Sequence, residues 1–183
     1  SRFSPTLQDT PGAPMNDGAL TIGRWIRDRG RGTPERVAVE HPDRTITYAE
    51  LDRESSRLAA ELERRGPGHG DRVAVLADNA PEYVIVMFAC AKAGLVMTPL
   101  NWRLTAPELA YQIAHSGAAI VIAAADRHDQ AAAAIAVSGR DVPVRDLAVP
   151  PDAPADADTG ATVADDDALF LIYTSGTTGR PKG

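Results

Sequence analysis

Ten residues near one end of the chain, Thr174-Ser-Gly-Thr-Thr-Gly-Arg-Pro-Lys-Gly183, concentrate groups suited to holding phosphate. Gly176 and Gly179 open backbone angles closed to other residues, so successive N–H groups can face one concavity. The hydroxyls of Thr174, Ser175, Thr177 and Thr178 can donate to phosphate oxygens, and Lys182 adds a positive charge. The run follows Leu169-Phe-Leu-Ile-Tyr173, a short apolar segment of the buried-strand type. A strand feeding a glycine-rich loop is where α/β sheets hold phosphates. Neither common phosphate loop fits the spacing. A Walker A loop would need glycine at 181, which is Pro, and a G-x-G-x-x-G turn would need glycine at 178, which is Thr.

Other reactive side chains are scattered. His41, His69, His115 and His128 stand singly, without the close pairing that metal ligation uses, and read as surface or helix-end histidines. Cys90 is the single cysteine, which excludes an intramolecular disulfide and a Cys-based zinc site. It sits in the most apolar helical stretch and reads as a small buried hydrophobe. Trp25 reads as core, whereas Trp102 is compatible with core, lid or substrate contact. Asp165 to Asp167 read as a solvated stretch ahead of a buried strand.

The elements that must position these residues alternate. Leu20, Ile22, Trp25 and Ile26 predict a short amphipathic helix ending at Gly30. Val37 to His41 and Arg44 to Thr47 predict a hairpin turned by Pro42-Asp43. Thr47 with Glu50 forms a capping box for a helix that runs to Gly66, and Thr105 with Glu108 forms another for a helix ending near Gly117. Between them, Asn79 is placed to cap a helix whose first turn holds Pro81 and which Gly94 ends. That helix is apolar nearly all round, which predicts burial between layers. Strands are predicted at Arg72–Ala77, Leu95–Leu100 and Ala118–Ala123, and an Ala-rich helix from about Asp126 to Val137. Each strand is a continuous apolar run, so the expected fold class is α/β, a mainly parallel sheet with crossover helices.

The 183 residues (19.3 kDa) are 44% hydrophobic and 24% charged, with mean hydropathy −0.20, the balance of a globular chain. That bounds the chain at one domain or a piece of one. No apolar run approaches the ~20 residues of a membrane span, so no integral membrane segment is expected. No secretion signal opens the chain, which makes the cytoplasm the expected compartment. The net charge of −6 arises in Val149–Asp167, where six Asp meet no Lys or Arg. This connector is expected to be exposed, and nothing resembles a nucleic-acid binder. Ser1 to Pro14 reads as a tag or disordered lead-in before Met15, and the stop inside a glycine-rich loop suggests an excerpt of a longer protein.

Tyr173-Thr-Ser-Gly-Thr-Thr-Gly-Arg-Pro-Lys-Gly183 closely resembles the phosphate-binding loop of the adenylate-forming enzymes, which include acyl-CoA synthetases, luciferases and peptide-synthetase adenylation domains. The resemblance extends over Leu20 to Gly183 through Thr47-Tyr-Ala-Glu-Leu51, Gly70-Asp-Arg-Val-Ala74 and Ala89-Cys-Ala-Lys-Ala-Gly94. Thr98-Pro-Leu-Asn-Trp-Arg-Leu104, followed by Glu108-Leu109, resembles the acyl-CoA synthetase branch. Peptide-synthetase domains usually carry Asp-Pro where Asn101-Trp102 stands. By this resemblance residues 15–183 are the N-terminal portion of an AMP-binding domain.

Similar enzymes join a carboxylic acid to MgATP, giving an acyl-adenylate and pyrophosphate, and then transfer the acyl group to coenzyme A. The resemblance implies that Thr174 approaches the Mg²⁺ ion, that Ser175, Gly176, Thr177, Thr178 and Gly179 wrap the β- and γ-phosphates, and that Lys182 steadies them. It also implies a later C-terminal domain bearing the catalytic lysine, which Lys182 is not, so no catalytic residue is expected within these 183. Two other readings stay open: a phosphate- or nucleotide-binding module without catalysis, and a structural or interaction domain with an incidental loop. Within the enzyme reading, an adenylation domain that does not use CoA is the variant.

Overall fold

The computed structural model describes residues 21–148 and 161–174. Ile22–Gly32 (α1) and Tyr48–Arg64 (α2) flank the hairpin of Val37–His41 (β1) and Arg44–Thr47 (β2), which pair antiparallel. Four parallel strands follow: Arg72–Leu76 (β3), Val96–Pro99 (β4), Ile120–Ala123 (β5) and Val144–Asp146 (β6), in the order β4-β3-β5-β6. Their crossovers are Pro81–Ala93 (α3), Ala106–Ser116 (α4) and His128–Ser138 (α5). The α/β parallel sheet expected from the sequence is thus present.

Alternate side chains of the strands serve two cores. Val73, Val75, Met97 and Ile122 pack with Leu58 and Leu62 of α2 and with Ile85 and Ala89 of α3. Ala74, Leu76 and Val121 face the other way, onto Leu109 and Ile113 of α4 and Ala131 of α5. Both faces of the sheet are therefore covered, which is why its strands are apolar runs. The helix starts form as expected: Glu50 accepts from Thr47 N at 2.8 Å, and Glu108 from Thr105 N at 2.8 Å.

Two buried ionic clusters hold the helices in place. Arg145 of β6 donates to Glu61 of α2 from Nε and Nη2 at 2.9 and 2.6 Å, with both side chains 5% exposed. Arg65 also donates to Glu61 at 2.8 Å. At the end of α3, the fully covered Lys92 ammonium binds the Asp52 carboxylate, the Asp52 carbonyl at 2.7 Å and the Ser56 hydroxyl at 2.8 Å.

Several expectations need correction. The N-cap of α3 is Ala80, not Asn79, and it makes no side-chain cap bond. Ala80 precedes Pro81, whose ring disfavours helical angles there, so the chain stays extended through Ala80 and Asn79 falls one residue early. Trp25 is not core: it stays 49% exposed, with a stack on Phe88 and an edge on Tyr48. Gly23 lies where an added Cβ would sit 2.8 Å from the Ala91 carbonyl, so α1 meets α3 through Gly23 and Ile26, and Trp25 turns to the rim. The helix α1 runs to Gly32, past Gly30, and α5 starts at His128 after a 3₁₀ turn over Ala125–Arg127. The strand β6 was not anticipated.

Segment 169–173 is not a buried strand. It makes one parallel bridge, Met97 to Phe170, and Phe170 and Ile172 remain 40% and 59% exposed. It lies on the side of β4 away from β3, so among the described residues it has a strand neighbour on one side only. Residues 149–160 of the acidic connector, and the lead-in 1–14, lie outside the described residues. Thr162 and Ala164 to Asp166 are exposed, as expected.

Burial raises the Glu61 carboxyl, but hydrogen bonds and charge from Arg145 and Arg65 outweigh it and hold the group below its ordinary 4.5. The stability it contributes is present above that ordinary value and is lost as pH falls through the lowered one. Glu61→Ala, which leaves Arg145 buried without its carboxylate, should cost about 3–5 kcal/mol in urea unfolding at neutral pH. The deficit should shrink as pH is taken below 4.5.

Candidate functional site

In the strand order β4-β3-β5-β6, α3 leaves β3 towards one layer, while α4 and α5 leave β4 and β5 towards the other. In open α/β sheets, ligands bind at the carboxyl ends of neighbouring strands whose loops leave in opposite directions. Three loops meet there through their side chains. Arg127, after β5, donates to Asp78, after β3, at 2.8 Å. The same guanidinium lies 4.6 Å from the ring centre of Trp102, after β4, and Arg103 lies 4.2 Å from that ring. Gln130 donates to the carbonyls of Trp102 and Leu104 at 2.9 and 3.0 Å, which fixes the loop that carries the indole. The bond to Asp78 raises the Arg127 pKa further, so this cation persists at every working pH.

The chain enters this region a second time. Met97 N donates to Leu169 O at 2.8 Å and Leu171 N to Met97 O at 2.9 Å, aligning the segment parallel to β4. Its approach is held by Asp167, which accepts from Ala164 N at 2.7 Å and pairs with His69 at 2.9 Å. These contacts, the Ala164 backbone bond first, lower the Asp167 carboxyl below its usual range. Running parallel to β4 directs Tyr173 and then Thr174 towards the carboxyl side. Thr174 is exposed. Ser175, Gly176, Thr177, Thr178, Gly179 and Lys182 lie outside the described residues.

The remaining reactive residues settle into local roles. Cys90 is fully buried and its thiol is pushed up to about 12 by that burial, as a small core residue would be. His41 pairs with Asp43 across the hairpin turn, and His128 with Asp146 at 2.7 Å. No group of three or more His, Cys, Asp or Glu side chains able to hold a metal ion occurs among the described residues. Sequence reasoning left Trp102 open and did not see Asp78 and Arg127. Their one signal was position, each falling within a few residues of the end of an apolar strand.

A parallel sheet whose crossover helices diverge to opposite faces is a doubly wound α/β architecture, and such sheets bind ligands at the carboxyl ends of their strands. Comparison narrows it: the AMP-binding enzyme family matches residues 26–183, and the chain belongs to that family. It is 43% identical over 162 residues to a feruloyl-CoA synthase of an Amycolatopsis species, covering 88% of this chain and 32% of that protein. It is 35% identical over 170 residues to the long-chain-fatty-acid–CoA ligase FadD13 of Mycobacterium tuberculosis, covering 88% and 34%. The inhibitor-bound N-terminal domain of FACL13 from M. tuberculosis superposes with a TM-score of 0.81 at 34% identity, over 89% of this chain and 43% of that one. The chain thus spans about a third of the length of the curated relatives it matches.

Of the two tryptophans, only Trp102 lies at the carboxyl ends. With Trp25→Phe removing the other indole, emission from Trp102 should change when MgATP or inorganic pyrophosphate is added. An unchanged spectrum at saturating ligand, established by equilibrium dialysis, would place the ligand elsewhere.

Proposed function

We propose that this chain supplies the ATP phosphate-binding part of an AMP-forming acid–thiol ligase, an acyl-CoA synthetase. The observation that carries the proposal is the position of Thr174: exposed, at the head of the glycine-rich run, on a segment aligned parallel to β4. Membership of the AMP-binding family and likeness to two CoA ligases support it. In this reading a carboxylate oxygen attacks the α-phosphorus of ATP. The new O–P bond forms as the bond to the pyrophosphate oxygen breaks, giving acyl-adenylate and pyrophosphate. The thiol of coenzyme A then displaces AMP to give the thioester.

The residues present suit the first half of that sequence. Charge develops on the departing pyrophosphate, and fixed donors aimed at it lower the barrier. By residue type, Thr174, Ser175, Thr177 and Thr178 can supply hydroxyl donors, Gly176 and Gly179 are free to take backbone angles closed to other residues, and Lys182 can add charge. The Thr174 hydroxyl is also a hard oxygen donor, and it is the residue that would hold a Mg²⁺ ion here. When bound, that ion neutralises phosphate charge. A cytoplasmic site of action belongs to the same proposal. Among the described residues no helix is long and apolar enough to cross a membrane.

In the whole enzyme, Thr174→Ala should slow acyl-adenylate formation about 10²–10³-fold, equivalent to about 2.7–4 kcal/mol, the usual loss for one preorganised donor. Thioester formation from preformed acyl-adenylate involves no pyrophosphate and should be nearly unaffected. Equal slowing of both half-reactions would instead assign Thr174 to folding or domain closure. The 183 residues alone, spanning about a third of such ligases, should not support carboxylate-dependent exchange of labelled pyrophosphate into ATP. Exchange above a no-protein blank would refute that expectation.

A further inference from the structure

We propose that His115 is a positioning residue for Thr174, holding the phenol of Tyr173 one residue ahead of it. This rests on the ligase reading above and deepens it. The His115 Nδ1 lies 2.8 Å from the Tyr173 hydroxyl oxygen, and the two rings meet edge-on at 5.7 Å. Tyr111, one turn earlier on α4, stacks on the imidazole at 5.3 Å and 23° and so limits its rotation. The phenol also reaches the Gln112 carbonyl at 3.4 Å. With its proton aimed at that carbonyl, the phenol accepts from His115, and Nδ1 must carry the hydrogen.

The two partners differ in how firmly they are held. The helix α4 is anchored at both ends. Its start is boxed by Thr105 and Glu108, and Arg72 donates to the Ser116 and Gly117 carbonyls at its end, at 2.7 and 3.2 Å. Segment 169–174 is tied to β4 by the two backbone bonds around Met97. The Tyr173 side chain therefore ties the backbone leading into Thr174 to the fixed position of α4. Donors aimed at a leaving group act only if held in place, and a displacement of about 1 Å can cost about 100-fold.

The test uses the whole enzyme with His115→Ala, Tyr173→Phe, the double variant and His115→Asn, whose side-chain amide can donate from near the Nδ1 position. Either single loss should lower kcat for carboxylate-dependent pyrophosphate exchange by about 10- to 100-fold, with KM for the carboxylate unchanged. The double variant should be no more than about twofold worse than the poorer single, the mark of a shared interaction. His115→Asn should recover most of the loss. Multiplicative singles, or equal slowing of thioester formation from preformed acyl-adenylate, would overturn the proposal. Amide hydrogen exchange over residues 174–179 is read on the same samples: faster exchange in His115→Ala supports the tether, and unchanged exchange overturns it. A wild-type enzyme without pyrophosphate exchange would refute the ligase reading, while the amide-exchange result would still decide whether His115 restrains the segment.

Discussion

The helix α3 imposes the main constraint on this fold. From Pro81 to Ala93 it is apolar on nearly every side, so no single partner surface can bury it. The sheet covers one side through Val73, Val75 and Met97. The other side needs a further layer, which α2 and α1 provide with Leu58, Leu62 and Ile26. Cover on both sides requires close approach, and the sequence allows it at particular points. Gly23 brings α1 against the Ala91 carbonyl, and Gly94, at φ +64°, turns the chain from α3 directly into β4 in the left-handed region that other residues rarely enter. A Cβ at Gly94 would also meet the His69 ring at 2.4 Å.

Once α3 is enclosed, polar groups at its edges have no water to return to, and they define the register of the layers. Lys92 is the clearest case. Its ammonium is enclosed by Asp52 and Ser56 from α2, so α2 and α3 dock in the one alignment that satisfies it. The Glu61–Arg145 pair does the same across a longer span, tying the far strand β6 to α2. Buried ion pairs contribute little net stability compared with apolar replacements, but a misaligned layer would leave each charge unpaired, which is strongly unfavourable. These two pairs exclude alternatives more than they strengthen the native state.

What could be read in the sequence follows from how local the signal is. The capping boxes at Thr47 and Thr105 and the apolar runs of β3, β4 and β5 are complete within a few residues, and they formed where expected. The strand β6 escaped because its central residue is Arg145, whose burial depends on a partner 84 positions away. Trp25 misled because its apolar spacing is genuine, but Gly23 decides which side of α1 meets α3. The burial expected of 169–173 depends on neighbours on both sides, and among the described residues only β4 is one. Of the candidate site, the chemical run at 174–183 was legible as composition. The contacts of Asp78, Trp102 and Arg127 were not, since they depend on the strand order.

The arrangement separates rigidity from access. The strands β3 and β5 lie inside the sheet, paired on both sides, and the loops leaving their carboxyl ends are locked together by Arg127 and Asp78. Segment 167–173 joins instead beside β4, through the Met97–Phe170 bridge and the contacts of Asp167 to His69 and of Tyr173 to His115. A segment paired in the middle of the sheet would be more precise, but its hydroxyls would compete with packed side chains for space. Beside β4, Thr174 remains exposed, and its position is set by the elements that flank it. Those flanking contacts are polar and directional, so they can hold a position without covering it, as apolar packing could not.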